Sequence, residues 1–226
     1  MAQFNGFPPE TTEFLRDLSA NNSKEWFDEH RGDYNTYWVD PARAFVVAAG
    51  EALQEIAPVE AQPRVNGSIF RVNRDVRFFA DKRPYKDYLD FWFWEGDRRS
   101  AVSGFYLRIT PDGVGVGVGA HRFDKDRLAS YRASVADATS GESLRAAVGT
   151  IEKAKFEVKG EHYKTLPRGF DAHDEFTARM LRYNALWVGE DEPAPKVLGS
   201  KRFVPWAINR WSKLEPLHRW LVDHVT

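Results

Sequence analysis

Residues 64–86 carry an unusual concentration of cationic side chains. Seven residues of this segment are basic and two are acidic, so its formal charge is +5 and that of the remaining chain is −6, for a total of −1. The basic residues are Arg64, Arg71, Arg74, Arg77, Lys82, Arg83 and Lys86, and the acidic ones are Asp75 and Asp81. Arginine pairs bidentately with phosphate or carboxylate through its planar guanidinium group, and lysine adds a compact charge. The segment therefore predicts a site that binds an anion.

A structural salt-bridge network is the alternative interpretation of the same residues. Asp75 and Asp81 would then neutralise some of the arginines and hold the segment in place. Two carboxylates cannot neutralise seven cations, so a distant acidic residue, a ligand or water must face the others. Held beside arginines, these two carboxyl groups would have lowered pKa values and would be poor general acids, which leaves them the roles of bases or of groups that orient a substrate.

The predicted ligand-binding set combines the cations with aromatic residues near them in the sequence. Its members are Arg71, Arg74, Arg77, Lys82, Tyr85, Lys86, Trp92 and Arg108, with Asp75 and Asp81 as orienting carboxylates. The expected ligand is a small molecule that bears a phosphate or a carboxylate. Two alternatives stay open. In the first, single-stranded nucleic acid stacks its bases on Trp92, Trp94 or Tyr106, although the near-zero net charge makes this the second choice. In the other, the protein is an interaction module that uses the arginines structurally.

No catalytic, metal or cofactor site is predicted. The chain has no cysteine, which excludes disulfides, thiolate metal sites and cysteine nucleophiles. It also lacks HExxH and GxSxG motifs. We expect His30 to be packed among aromatic side chains, and His162 and His173 have no obvious third ligand. Whether the protein is an enzyme stays open.

The pattern of helices and strands expected to position these residues indicates an α+β fold in a single domain of residues 1–226. Residues 8–57 are expected to be helical, 68–119 to form the sheet, and 124–225 to be mixed and mainly helical. Alternating apolar residues predict an antiparallel meander of about four to five strands, packed by N-terminal and C-terminal helices. Strands are expected at 68–72, 88–94, 105–109 and 114–119, with one more at 185–188.

The two faces of this sheet differ in character. The apolar face, expected to be core, comprises Leu89, Phe91, Phe93, Phe105, Leu107, Ile109, Val114, Val116 and Val118. The other face carries Tyr88, Trp92, Trp94, Tyr106 and Arg108 together with Gly115, Gly117 and Gly119. Alternate glycines in a strand indicate close approach by another group, here a ligand or an aromatic ring from the neighbouring strand.

The chain shows neither a signal peptide nor an apolar run of about 18 residues, so we expect a cytoplasmic protein without a membrane span. Eight Trp and sixteen Phe indicate a rigid aromatic core, a stacking surface, or both.

The run IFRVNRDVRFFADKRPYKDY resembles the signature of domain-of-unknown-function family 2461, whose core reads roughly FRxxRDxRFxxDKxPYK. The matching positions are Phe70, Arg71, Arg74, Asp75, Arg77, Phe78, Asp81, Lys82, Pro84, Tyr85 and Lys86. The segments NNSKEWFDEHRGDY, LPRGFDAHDE and LEPLHRWL are also similar to that family, so the resemblance covers nearly the whole chain. Asn73 departs from it, since an aromatic residue is expected there. The resemblance implies membership of a family and no particular activity.

Overall fold

The computed structural model describes residues 3–77 and 80–225, and it has the predicted α+β architecture. Its α-helices are α1 (Pro9–Ala20), α2 (Lys24–Glu29), α3 (Arg31–Asp33), α4 (Asp40–Leu53), α5 (Lys125–Ala136), α6 (Ala138–Lys153), α7 (Glu175–Leu181) and α8 (Phe203–His224). Its strands are β1 (Val59–Glu60), β2 (Leu89–Glu95), β3 (Gly104–Ile109), β4 (Gly113–Ala120), β5 (Val158–Glu161) and β6 (Tyr183–Pro193).

Among the described residues the six strands form one sheet in the order β1-β2-β3-β4-β6-β5. The antiparallel meander β2-β3-β4 is as predicted. The sheet also extends beyond 68–119, because β1, β5 and β6 belong to it, and it has slightly more strands than expected. The predicted strand at 68–72 is wrong: that stretch makes only isolated bridges, such as Ile69 with Phe91, and no continuous ladder.

Ser23 caps α2 by accepting a hydrogen bond from the backbone N–H of Trp26. The side chain of Asn22, one position earlier, is therefore available to bind elsewhere in the chain. The π-helical segment Tyr34–Val39 runs directly into α4, which begins at Asp40.

The described chain divides into two compact units. The first comprises residues 1–93, 106–116 and 191–209. Its core is an aromatic cluster in which Phe45 packs 4.8 Å from Phe91 and 5.6 Å from Phe203, measured between ring centroids. Phe7 contacts all three of these rings. The cationic segment belongs to the same unit.

The second unit comprises residues 94–105, 117–190 and 210–226. Its core contains Phe105 against Trp211 and Tyr131 against Trp220, both in edge-to-face arrangements. The Tyr131 hydroxyl donates to the Met180 carbonyl oxygen at 2.9 Å, and the Trp220 indole N–H donates to the Ser140 carbonyl oxygen at 2.8 Å. Both polar groups are therefore satisfied where they are buried.

The whole predicted apolar face is buried, and the glycines of β4 have a packing explanation. A Cβ atom on Gly117 would lie 2.6 Å from the Val188 carbonyl oxygen, and one on Gly119 would lie 2.3 Å from that of Leu186. The backbone of β6 is thus the group that approaches Gly117 and Gly119. The sequence had suggested a ligand or an aromatic ring instead.

Replacing Gly119 with alanine should lower the free energy of unfolding by about 1–3 kcal/mol, since the residue has φ +122° and no space for a Cβ. Gly149→Ala is the matched control, because its Cβ would meet nothing within 4 Å inside α6. That change should be neutral or stabilising by up to about 1 kcal/mol. Denaturant melts of both variants check this; equal stability of the Gly119 variant and wild type would contradict it.

Candidate functional site

Within the cationic segment, residues 72–74 pair with residues 84–86 in antiparallel fashion. The Lys86 N–H donates to the Val72 carbonyl oxygen and the Arg74 N–H to that of Pro84, both at 2.8 Å. Asn73 and Tyr85 form the isolated bridge between these bonds. This pairing brings Arg74 and Lys86 together although they are twelve positions apart.

Tyr85 anchors the segment to the helical layer. Its ring is buried and stacked on Phe27 with centroids 4.2 Å apart. The Asn22 side chain accepts from the Tyr85 backbone N–H at 3.0 Å and donates to the Tyr85 carbonyl oxygen at 3.1 Å. The ring of Tyr85 is thus part of the packing, and its hydrogen-bonded backbone adjoins Lys86.

Carboxylates neutralise the arginines at the centre of the segment. Asp81 pairs with Arg74 at 2.6 Å and with Arg83 at 2.9 Å. Asp87 lies near the same two guanidinium groups, at 3.7 Å and 3.4 Å. Asp87 lies one position after residues 64–86, so the formal charge of +5 given for that segment does not include its negative charge.

Arg77 and Lys82 lie on the exposed side of the segment. Arg77 binds Asp75 bidentately, with nitrogen–oxygen distances of 2.9 Å and 2.7 Å, and Lys82 donates to the Val76 carbonyl oxygen at 2.8 Å. Hydrogen bonds from Arg77 lower the pKa of Asp75 to about 2, and those from Arg83 lower the pKa of Asp81 to about 2. Both carboxyl groups therefore stay ionised near neutral pH, as the sequence suggested.

Asp90 organises the polar face of β2 and β3. Its buried carboxylate accepts two hydrogen bonds from Arg108, at 2.7 Å and 2.9 Å, and one from the Tyr106 hydroxyl at 2.7 Å. The Arg108 guanidinium also lies 3.8 Å from the centroid of the Tyr88 ring. Burial is the main cause that raises the pKa of Tyr106 well above its ordinary value, so this hydroxyl stays protonated and donates.

Sequence reasoning left Asp90 out of the predicted site. The sequence did contain a signal: Asp90 lies between apolar residues in the alternating pattern of the strand. It is therefore on the same face as Tyr88. A carboxylate on a buried strand requires a cationic partner, and Arg108 was the cation predicted on that face.

Lys86 is a partly buried predicted site residue whose charge has no counter-ion among the residues that the structure describes. Its Nζ makes neither an ion pair nor a hydrogen bond with any residue in the ranges 3–77 and 80–225. The Nζ lies 5.5 Å from the centroid of the Phe70 ring and 5.9 Å from that of Tyr88. These contacts place the ammonium group over aromatic faces.

The electrostatic surroundings of Lys86 are predominantly positive. Burial is the main cause that lowers its pKa; Asp90 acts in the opposite direction, and Arg108, Arg71 and Arg74 lower it further. Since the Asp90 carboxylate is already bound by Arg108, it does not serve Lys86 as a direct partner. We refer to Arg71, Lys86, Tyr88 and Arg108 as the Lys86 site.

Other members of the predicted set lie in different surroundings. Arg71 is exposed and has no carboxylate within 4.0 Å among the residues that the structure describes. Trp92 is partly exposed, whereas Trp94 is 1% exposed with the Arg98 guanidinium 5.3 Å from its ring. Of the three rings considered for base stacking, Trp94 is thus buried, whereas Trp92 and Tyr106 are partly exposed.

Of the histidines considered from the sequence, His30 is packed as expected: its ring stacks on Trp26 at 4.0 Å, and its Nδ1 lies 2.8 Å from the Trp26 carbonyl oxygen. Within the described ranges there is no group of three or more His, Cys, Asp or Glu side chains that could hold a metal ion.

Sequence reasoning missed His218, which lies at the centre of a buried network in the second unit. Its Nδ1 is 2.9 Å from the Ser103 hydroxyl and its Nε2 is 3.0 Å from the Glu95 carboxylate, which also pairs with Arg219. A carboxylate only accepts, so Nε2 carries the proton and Nδ1 accepts from Ser103. Acyl-transfer enzymes use this order of groups to activate serine, but Ser103 is 1% exposed here. We therefore assign the network to stability.

A family model described as a conserved hypothetical protein, DUF2461, matches residues 10–220. No curated protein and no solved structure matches the chain. None of the helices in the described part of the chain is long and apolar enough to cross a membrane. Phe78, one position of the signature quoted above, lies outside the described residues. Since the match spans nearly the whole chain, this protein belongs to the DUF2461 family of conserved hypothetical proteins.

Proposed function

We propose that the protein binds a small molecule bearing a phosphate or a carboxylate at the Lys86 site. The observation that carries the proposal is the ammonium group of Lys86, which is partly buried and has no counter-ion within residues 3–77 and 80–225. A buried charge is unfavourable unless it is paired, and a bound anion would supply the missing pair.

The salt-bridge network and the site are complementary parts of this proposal. Asp75, Asp81, Asp87 and Asp90 bind arginines and give the segment a defined shape. Arg71 and Lys86 have no carboxylate of the described chain within 4.0 Å. An anion between them would gain hydrogen bonds to charged donors, and the Phe70 and Tyr88 rings would flank the rest of the ligand.

A thermal-shift screen tests the proposal directly. Inorganic phosphate, nucleotides, sugar phosphates and dicarboxylates are added to the wild type and to Lys86→Met. A ligand present at 100 times its Kd should stabilise the wild type by about 2.7 kcal/mol, which raises Tm by about 5–10 °C for a chain of this size. Lys86→Met should lose at least half of that rise.

Lys82→Gln is the matched control, since it removes one charge from the same segment while Lys86 stays in place. This variant should keep the wild-type response to ligand. If no anion in the screen raises the Tm of the wild type, or if both variants respond alike, the proposal is wrong. Binding of a single-stranded oligonucleotide that weakens steeply with salt would support the nucleic-acid alternative instead.

A further inference from the structure

The amine of Lys86 has surroundings that favour nucleophilic chemistry as well as charge recognition. Most lysines keep their proton because water or a carboxylate stabilises the ammonium ion. Lys86 has neither a carboxylate within 4.0 Å nor a hydrogen-bond acceptor among the described residues, and it faces two aromatic rings. Lysines that are desolvated, or that lie near another cationic group, are the ones that form Schiff bases with carbonyl substrates.

We propose that Lys86 forms an imine with the carbonyl carbon of a small 2-oxo acid whose carboxylate is bound at the Lys86 site. This inference rests on the proposed anion site and adds a substrate class and a reaction to it. Arg71 is the guanidinium assigned to the carboxylate, because it lacks a protein carboxylate and acts electrostatically on Lys86.

The step balances without an oxidant or a reductant. The unprotonated amine attacks the carbonyl carbon, and a nitrogen–carbon bond forms as the carbonyl oxygen takes up a proton. The resulting carbinolamine loses water, which carries away the former carbonyl oxygen and both amine hydrogens, and a carbon–nitrogen double bond remains.

The groups around Lys86 favour the first part of this step. Arg108, Arg71 and Arg74 disfavour the ammonium form, as does burial, whereas Asp90 favours it. Because Asp90 is engaged by Arg108 and by the Tyr106 hydroxyl, its effect on Lys86 is opposed by the adjacent guanidinium. The lowered pKa of Lys86 increases the fraction of unprotonated amine at any pH below its ordinary range.

Reductive trapping tests the inference on the whole protein. The wild type is incubated with pyruvate or glyoxylate and sodium cyanoborohydride, and the occupancy of each lysine is measured by peptide mass spectrometry. Lys86 should be alkylated at least tenfold more than Lys82, which is exposed and whose Nζ donates to the Val76 carbonyl oxygen. Excess inorganic phosphate should suppress the modification of Lys86 and leave that of Lys82 unchanged.

Two separate measurements on the wild type, stabilisation by anions and labelling of Lys86, distinguish this inference from the proposed function. Lys86→Arg is the control for labelling only, since no imine adduct can form at position 86. Wild-type protein that is stabilised by anions but shows equal labelling of Lys86 and Lys82 would overturn the imine alone. Wild-type protein that no anion stabilises would overturn the site and the imine together.

Discussion

Arg108→Met should lower the free energy of unfolding by about 2–4 kcal/mol. The change leaves the carboxylate of Asp90 buried beside only the Tyr106 hydroxyl, and breaking one side of a buried ion pair is among the most destabilising substitutions. We place the expected loss below the largest such values because the Arg108 side chain is 34% exposed.

Arg77→Met is the matched control for this prediction. It makes the same chemical change to another bidentate arginine of the first unit, but the Arg77 side chain is 74% exposed. Its effect on stability should be small, because ion pairs between exposed side chains contribute little. Urea melts of both variants provide the comparison, and equal stability of the two would show that the Asp90 pair does not stabilise the fold.

The double variant Arg108→Met, Asp90→Asn identifies the cause. If the loss comes from an unpaired carboxylate, removing its charge should restore at least a third of the lost stability, since the amide oxygen still accepts from Tyr106. If the loss comes from missing packing against Tyr88, the double variant should be no more stable than Arg108→Met.

His218→Ala should destabilise the protein by about 2–4 kcal/mol at pH 8. The imidazole is 0% exposed, so its loss leaves a cavity beside Phe105 and removes the partner of Ser103 and Glu95. His173→Ala is the control, because that side chain is 66% exposed and its removal should be nearly neutral.

The same histidine predicts a pH dependence of stability. Burial is the main cause that lowers the pKa of His218, with Arg219 acting in the same direction and Glu95 and Asp223 opposing it. The folded state therefore binds fewer protons than the unfolded chain, in which a histidine has its ordinary pKa of about 6.5. The stabilising effect is complete above that value and is lost as the pH falls from about 6.5 through the lower pKa of the folded state.

Urea melts between pH 8 and pH 5 measure this effect. The loss of stability on acidification should be smaller in His218→Gln than in the wild type, whereas His173→Gln should follow the wild type. A wild-type protein as stable at pH 5 as at pH 8, or the same loss in His218→Gln, would exclude His218 as the group responsible.

The sequence alone predicted the features that depend on local patterns. Apolar and polar residues that alternate with a period of two identified β2, β3 and β4 and their buried face, because strand side chains point to opposite sides in turn. β6 was predicted only at 185–188, since its second half, GEDEP, is polar and lacks this alternation. The stretch 68–72 has an apolar pattern but no continuous partner, so the pattern by itself was insufficient.

For the candidate site, the sequence identified the cationic segment and its family signature, and the tertiary structure decided which cations are neutralised. Arg77 and Lys86 look equivalent in the sequence, yet one has Asp75 as its neighbour and the other has two aromatic rings. Asp87 and Asp90 became partners of Arg74 and Arg108 only when the segment folded against β2 and β3. Charge neutralisation depends on distances in space and on burial, which residue spacing does not encode.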